Sequence, residues 1–270
     1  MKIKKLDHLK EIYDRYDAFL IDLWGVMHNG IRLNVSAMKA VAELESKGKR
    51  IIFLSNAPRP TKKVVEFLKK LKMEEKFLKN VLTSGEAATN SLKKNEFGKK
   101  FYHLGPPRDD SLFSNIKKNK TTLEKCDFIL CTGLFDDEEE NLKYYEDLLK
   151  NFTKKKLVCT NPDLTVHRGG EEEYCAGKIA EIFESLGGEV VYFGKPHKEV
   201  YLSCLDMNQK TLVVGDNLRT DIKGANNMNL DSVFITGGIH RSKINNEEVV
   251  EKLLKEHNVS ANYFQDELTW

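Results

Sequence analysis

Two carboxylates in this sequence stand where short apolar runs end. Asp22 follows Phe19-Leu20-Ile21, and Asp216 follows Val213-Val214-Gly215. A hard cation such as Mg²⁺ prefers oxygen ligands, and one or two carboxylates commonly hold it while leaving positions for water and phosphate. The two acids therefore predict a Mg²⁺ site if the fold brings them together. Asp221, five residues after Asp216, can support such a ligand or a nearby lysine.

Three further residues offer groups that suit phosphate binding. Ser55 and Asn56 supply a hydroxyl and an amide, which can hold phosphoryl oxygens. Lys195 lies between Gly194 and Pro196, so it belongs to a turn with a restricted direction. A lysine fixed in this way is well placed to neutralise a phosphate.

Alternating strand and helix patterns must position these residues. Apolar runs predict strands at 18–23, 50–56, 210–217 and 232–238. Helical spacing predicts helices at 7–16, 35–48 with Ser36 as the N-cap, 60–73 with Thr61 as the cap, and 247–257. This alternation favours a doubly wound parallel α/β sheet covered on both faces. Ligands of such sheets bind at the carboxyl ends of the strands, where Asp22, Ser55 and Asp216 all lie.

The middle of the chain repeats the pattern without supplying another strand-end acid of this kind. Strands are predicted at 100–105, 127–135 and 156–163, and helices at 138–152 and 176–186. A stretch of roughly 100 residues is large enough for a domain inserted between two halves of a core. We therefore predict a core of residues 1–83 and 190–270 and an inserted domain of residues 84–189.

Composition and charge exclude several classes of function. Hydrophobic residues make up 40% and charged residues 31% of the 270 residues, as in ordinary globular proteins. A net charge of +2 indicates neither a nucleic-acid surface nor a polybasic membrane surface. No apolar run approaches the roughly 20 residues that span a bilayer. The five scattered cysteines contain no C-x-x-C pair and indicate reduced thiols, so a cytoplasmic protein with a small-molecule partner is expected.

Four segments together resemble the motifs of the haloacid dehalogenase (HAD) superfamily. In the family's order and spacing they are Asp22-x-x-Gly25-Val26, Ser55-Asn56, Gly194-Lys195-Pro196, and Gly215-Asp216-Asn217 followed by Thr220-Asp221. The inserted region and the sequence TNPD at 160–163 resemble the NagD-type branch, class IIA, whose α/β cap lies between the second and third motifs. The resemblance covers nearly the whole chain and implies a HAD core with an inserted C2-type cap.

The resemblance implies a Mg²⁺-dependent phosphohydrolase that forms an aspartyl-phosphate on Asp22. In this interpretation, Mg²⁺ is held by the carboxylates of Asp22 and Asp216 and by the main-chain carbonyl of Trp24. Asp221 and Asn217 support these ligands. Lys195 and Ser55 bind the phosphate oxygens.

The cap is expected to close over the site and to select the substrate, a small phosphate ester. A nucleotide, a sugar phosphate or a phosphorylated cofactor would fit the class. Asn56 and Arg59, which lies between two prolines, are candidate substrate-binding residues, as is Asp163 in the cap loop, with His167 and Arg168 weaker candidates there. Caps of this branch often take part in dimer contacts, which leaves a homodimer open.

Trp24 departs from the family pattern and defines a subgroup. In the family's phosphatases this position is an Asp that protonates the leaving alcohol and later activates water, and an indole can do neither. The main-chain carbonyl is retained, so metal and phosphate binding should survive. General acid–base help, worth about 10²- to 10⁴-fold, should be lost. His28 is one candidate replacement, because imidazole suits proton transfer.

Two alternatives stay open. The chain could be a catalytically degenerate regulatory protein that binds metal and phosphate without turnover. It could also be a metal-independent haloacid dehalogenase, since those enzymes carry an aromatic Tyr at the position of Trp24. The complete Asp216 and Asp221 motif and the phosphatase-like cap favour the phosphohydrolase.

Overall fold

A computed structural model describes residues 3–138, 141–168, 171–206 and 208–270 of the protein. The strands in these ranges are β1 (Lys4–Lys5), β2 (Ala18–Ile21), β3 (Arg50–Ser55), β4 (Val81–Thr83), β5 (Phe101–Leu104), β6 (Phe128–Cys131), β7 (Lys156–Cys159), β8 (Thr165–Arg168), β9 (Glu171–Tyr174), β10 (Glu189–Tyr192), β11 (Thr211–Gly215), β12 (Asp231–Ile235) and β13 (Tyr263–Gln265).

The larger sheet places the two predicted strand-end acids side by side. Within the described ranges its order is β1-β13-β12-β11-β2-β3-β4, and every neighbouring pair is parallel. The chain runs outward in one direction from β2 and in the other from β11, so the order reverses between these two strands. Ligands of open α/β sheets bind at such a reversal. Asp22 follows β2 and Asp216 follows β11, and the backbone N–H of Asp22 donates to Val214 O at 2.9 Å.

A second parallel sheet lies in the inserted region, with the order β10-β7-β6-β5 in the described residues. The strands β8 and β9 form a separate antiparallel hairpin. The predicted doubly wound core with an inserted α/β cap is therefore confirmed. Because β10 pairs with β7, we propose that the second domain boundary falls after Tyr192 rather than after Glu189. We call residues 84–192 the cap.

Helices cover the sheets. They are α1 (Val35–Ser46), α2 (Thr61–Lys70), α3 (Glu75–Leu78), α4 (Ser84–Lys93), α5 (Leu142–Leu149), α6 (Ala176–Ser185), α7 (Lys198–Leu202), α8 (Lys223–Asn227) and α9 (Glu247–Glu256). Apolar side chains such as Phe19 and Phe53 are fully buried in the core, as are Phe128 and Phe183 in the cap. No helix in the described ranges is long and apolar enough to cross a membrane.

Several predicted helix boundaries were wrong. The helix predicted at 7–16 is instead two short 3₁₀ segments at Leu9–Glu11 and Tyr13–Arg15. The N-cap of α1 is Asn34 rather than Ser36: its Oδ1 accepts from the backbone N–H groups of Ser36 at 3.1 Å and Ala37 at 3.5 Å.

Two further helices also start differently from the prediction. Thr61 is the first residue of α2 and does not cap it. The helix predicted at 138–152 is described as α5, and residues 139 and 140 lie outside the described ranges.

Ser84, where the chain first passes from core to cap, bridges the two domains. Its side chain is fully buried, and its Oγ lies 2.9 Å from Ala57 O in the core and 2.5 Å from Thr160 O at the end of β7. A serine hydroxyl has one proton, so the two carbonyl groups share one donor. Without that donor, the buried Thr160 O loses its bond from Ser84, whereas Ala57 O still accepts from Gly85 N at 3.1 Å.

We predict that Ser84→Ala lowers the free energy of unfolding by about 1–3 kcal/mol, because the buried Thr160 carbonyl group loses its hydrogen bond from Ser84. Urea denaturation measures the effect. Ser46→Ala is the matched control: the Ser46 hydroxyl is exposed and bonds only its own helix, so its effect should stay within about 0.5 kcal/mol. Equal values for the two variants would contradict the prediction.

Candidate active site

Three buried carboxylates meet at the reversal of strand order. One oxygen each from Asp22, Asp216 and Asp221 lies within 4.8 Å of the others. Asp22 and Asp216 extend from the ends of β2 and β11, and Asp221 comes from the helical turn Leu218–Ile222 that follows. The predicted convergence of Asp22 and Asp216 is therefore observed. The spacing of the three carboxylates matches what a single cation requires.

Lys195 lies inside this cluster. Its Nζ donates to Asp22 Oδ1, and to Asp221 Oδ1 at 2.7 Å. Burial disfavours the charge of Lys195, but the Asp22 and Asp221 carboxylates outweigh this effect and hold its pKa well above the usual range. The two carboxylates therefore favour the charged ammonium form of Lys195.

Asn56 fixes the backbone of Lys195. The Asn56 Oδ1 accepts from Lys195 N at 2.8 Å, and its Nδ2 donates to Lys195 O at 3.1 Å. Asn217 has a related supporting position, because its backbone N–H donates to Asp221 Oδ2 at 3.1 Å. Both amide residues thus support the charged groups, and both also line the cavity above them.

The charges of the cluster are unbalanced. Three carboxylates face one ammonium group, and burial of the carboxylates raises the pKa of Asp216, with the nearby Asp221 charge adding to the effect. The backbone N–H of Ile239 donates to Asp216 Oδ2 at 2.7 Å but carries no net charge. A divalent cation would balance the excess, and an all-oxygen donor set fits Mg²⁺. Asp22, Asp216 and Asp221 are the residues that could hold it.

The loop that follows Asp22 passes very close to Asp216. Gly25 has a φ of +91°, and a Cβ atom at this position would overlap the Asp216 carboxylate. Only glycine meets both conditions without strain. Ser55 lies at the end of β3 on the same edge, where its Oγ accepts from Ala57 N at 3.2 Å. Its hydroxyl proton is free to be donated to a ligand.

A cavity of about 880 Å³ opens over this cluster, lined by core and cap residues together. Arg59 lines it from the core, and its Nε lies 3.5 Å from Asp109 Oδ1 of the cap. Asp163 also lines it, and its Oδ1 accepts from Asn56 Nδ2 at 3.2 Å and from Asn217 Nδ2 at 3.4 Å. Burial raises the pKa of Asp109 and of Asp163 to about 6. The cavity has room for a substrate larger than phosphate.

The indole of Trp24 and the imidazole of His28 pack edge to face, with ring centroids 5.1 Å apart. His28 is buried, its Nδ1 accepts from Gly30 N at 3.1 Å, and its other ring neighbour is Phe67. Burial lowers the pKa of His28 to about 4. It is not one of the described residues that line the cavity. These contacts oppose the expectation that His28 replaces the missing acid.

Sequence reasoning missed two contributors. Asp109 follows the cap strand β5 in the sequence GPPRDD, so the strand-end rule, applied to the second sheet, would have pointed toward it. The backbone N–H of Ile239, which bonds Asp216, belongs to the loop after β12 and gives no signal in side-chain types.

Fold and site define a class of protein: a hydrolase with a parallel α/β core, an inserted cap, and a carboxylate–lysine cluster at the carboxyl edge of the core sheet. A model for haloacid dehalogenase-like hydrolases matches residues 19–117, and a HAD-hydrolase-like model matches residues 192–259. The chain belongs to the HAD superfamily and to its NagD-type branch.

Named relatives agree with this assignment. The 5′-nucleotidase YutF of Bacillus subtilis is 25% identical over 236 residues, which are 83% of this chain and 88% of that protein. The ribonucleotide monophosphatase NagD of Escherichia coli is 27% identical over 168 residues, which are 58% and 62% of the two chains. A haloacid dehalogenase-like hydrolase from Brucella suis superposes with a TM-score of 0.84 at 29% identity, covering 98% of this chain and 100% of that one.

We predict that Mg²⁺ binding strengthens as the pH rises. The Asp216 carboxyl group has a raised pKa and therefore holds a proton near neutrality. A cation must displace that proton, so a lower pH weakens binding. Titration calorimetry should therefore show a higher apparent affinity at about pH 8 than at about pH 6, with proton release. Asp216→Asn should weaken binding and reduce the released proton. An affinity that does not depend on pH would contradict the prediction.

We also predict that His28→Gln leaves the preference for leaving groups unchanged. The kcat ratio of an alkyl to an aryl phosphate should stay within about twofold of the parent protein, whereas loss of a general acid would lower it by about 10²-fold or more. His8→Gln, at an exposed position, is the control. A selective loss of alkyl turnover in His28→Gln alone would restore His28 as the proton donor.

Proposed function

We propose that the protein is a Mg²⁺-dependent phosphohydrolase for a small organic phosphate and works through an aspartyl-phosphate on Asp22. The observation that carries the proposal is the buried cluster of Asp22, Asp216 and Asp221 around Lys195, open to a cavity between core and cap. Mg²⁺ bound there would offset the negative charge of the carboxylates and of the phosphate.

The chain's own residues supply the remaining functions. A carboxylate oxygen of Asp22 attacks phosphorus, and the bond from phosphorus to the leaving oxygen breaks with its electron pair on that oxygen. The Lys195 ammonium and the Ser55 hydroxyl bind phosphoryl oxygens, where negative charge must be stabilised. Asp221 keeps Lys195 in place through the 2.7 Å ion pair. Water then attacks phosphorus, the bond between phosphorus and the Asp22 oxygen breaks, and phosphate leaves with Asp22 restored as a carboxylate. The leaving oxygen takes its proton from solvent, which also receives the proton lost by the attacking water.

Substrate selection falls to cavity residues outside the carboxylate–lysine cluster. Arg59 from the core and Asp109 and Thr132 from the cap line the cavity together. Both hydrogen-bond donors and acceptors are present, which suits a polar leaving group such as a sugar or nucleoside. YutF is named a 5′-nucleotidase and NagD a ribonucleotide monophosphatase, and nucleoside monophosphates are therefore the first substrates to test.

Trp24 restricts which esters react quickly. An indole has no proton to transfer near neutrality, so a leaving oxygen must depart with little protonation. Aryl phosphates, whose leaving groups are acidic, tolerate this loss, whereas alkyl phosphates, which include nucleoside and sugar phosphates, react more slowly. The same residue supports the second candidate function, a regulatory protein that binds metal and phosphate without turnover.

The decisive experiment measures Mg²⁺-dependent phosphate release from aryl phosphates, alkyl phosphates and nucleoside monophosphates. We predict that aryl esters turn over faster than alkyl esters by about 10²- to 10⁴-fold, the usual contribution of a general acid. Asp22→Asn and removal of Mg²⁺ should each abolish release from every ester.

Other outcomes identify the alternatives. No turnover combined with Mg²⁺-dependent binding of beryllofluoride, a mimic of the phosphorylated aspartate, would establish the binding protein. Halide release from a 2-haloacid without metal would establish a dehalogenase.

A further inference from the structure

The Trp24 side chain contacts the cap rather than the cluster of charges. Its Nε1 donates to the backbone oxygen of His167 at 2.9 Å. The guanidinium carbon of Arg168 lies 5.4 Å from the centroid of the indole ring, a cation–π contact. Both residues belong to β8, the first strand of the cap hairpin Thr165–Tyr174. The residue that replaces the family's acid therefore uses its only polar hydrogen to hold the cap.

The nucleophile loop is shaped to receive this indole. Gly30 lies beside it, with a φ of +85°, and a Cβ atom there would approach the indole Cζ2 to 2.7 Å. His28 packs against the ring from the other direction and is backed by Phe67 at 5.5 Å. A larger residue at position 30 would displace the ring. The loop that carries Asp22 thus holds the indole ring in a defined position.

The hairpin is fixed at its base, where Cys175 N donates to Leu164 O at 2.8 Å and Gly177 N donates to Asp163 O at 3.1 Å, but its strands extend beyond that base. Its two strands pair only with each other in the described ranges and stand apart from the four-stranded cap sheet. An isolated two-stranded hairpin is marginally stable in water. Ion pairing between Arg168 Nε and Glu173 Oε1 at 2.7 Å ties the strands together but is exposed, and such pairs contribute little. The contact with Trp24 adds stabilisation of the hairpin that the exposed ion pair does not provide.

The position of the hairpin matters because it lines the cavity. Val166, His167 and Glu172 face the same space as Asp22 and Lys195. The imidazole Nδ1 of His167 is buried without a hydrogen-bond partner in the described structure. A shift of the hairpin would change the walls of the leaving-group end and admit water to the cluster.

We propose that Trp24 is a positioning residue that anchors the cap hairpin onto the nucleophile loop and so closes the leaving-group end of the cavity. This inference rests on the proposed function for its kinetic consequence, but the anchor itself does not. The side chain at position 24 thus serves to enclose the substrate instead of transferring a proton. Reintroduction of the acid should therefore open the hairpin instead of producing a faster phosphatase.

The first test measures hydrogen exchange of the backbone amides of the hairpin in Trp24→Phe and Arg168→Gln. Trp24→Phe keeps an aromatic face but loses the N–H donor, and Arg168→Gln loses the cation. We expect exchange at residues 165–168 and 171–174 to accelerate by roughly three- to tenfold in each variant, the size expected for one lost hydrogen bond or cation–π contact. Arg32→Gln, an exposed arginine on the same loop, is the matched control and should leave exchange unchanged.

The second test uses the fluorescence of Trp24 itself. The chain has two tryptophans, so Trp270→Phe leaves Trp24 as the only one. In that background, Arg168→Gln should shift the emission to longer wavelength and increase quenching by acrylamide, because the ring loses its cover. Neither readout requires turnover, so both remain informative if the protein proves not to be a phosphatase.

The kinetic test is Trp24→Asp. We expect KM for an aryl phosphate to rise at least about tenfold, with less than the 10²-fold gain in alkyl kcat that a working general acid would give. Unchanged hairpin exchange in both Trp24→Phe and Arg168→Gln would overturn the proposal. A Trp24→Asp variant with unchanged KM, unchanged exchange and a gain of 10²-fold or more in alkyl kcat would also overturn it.

Discussion

The ammonium of Lys195 between the carboxylates of Asp22 and Asp221 is the interaction on which the site depends. Carboxylates buried this closely repel one another, and without a cation they would neutralise by taking up protons. One lysine relieves only part of that repulsion. The remaining negative charge is what the proposed divalent cation would balance.

The sheet explains why these groups can meet at all. Residues far apart in the sequence converge because β2 and β11 are neighbours at the reversal of strand order. The edge of the sheet supplies the acids, and loops that need no regular structure supply the lysine and the amides. Asn56 connects these parts, since it bonds the backbone of Lys195 and the side chain of Asp163. A single amide thereby joins the backbone of Lys195 in the core to the cap.

Much of the core could be predicted from the sequence, because buried parallel strands are short apolar runs and strand-end polar residues mark the ligand edge. Asp22, Ser55 and Asp216 were found in this way. The hairpin at 165–174 was missed because its strands are polar and charged, without the apolar run that signals a buried strand. The N-cap of α1 was wrong because Asn34 and Ser36 are both good caps, and local sequence does not choose between them. The contacts of Trp24 depend on where the cap meets the core, which no local pattern encodes.

The order of the strands also affects how the protein folds during synthesis on the ribosome. All four strands of the cap sheet lie within one contiguous stretch, residues 101–192, and can pair as soon as that stretch has emerged. The central strand β2, by contrast, keeps one edge without a partner until β11 is synthesised near the end of the chain. An open apolar edge of this kind favours aggregation. The nascent chain can therefore complete its cap sheet first, and it remains most exposed to aggregation at β2, the strand that Asp22 follows.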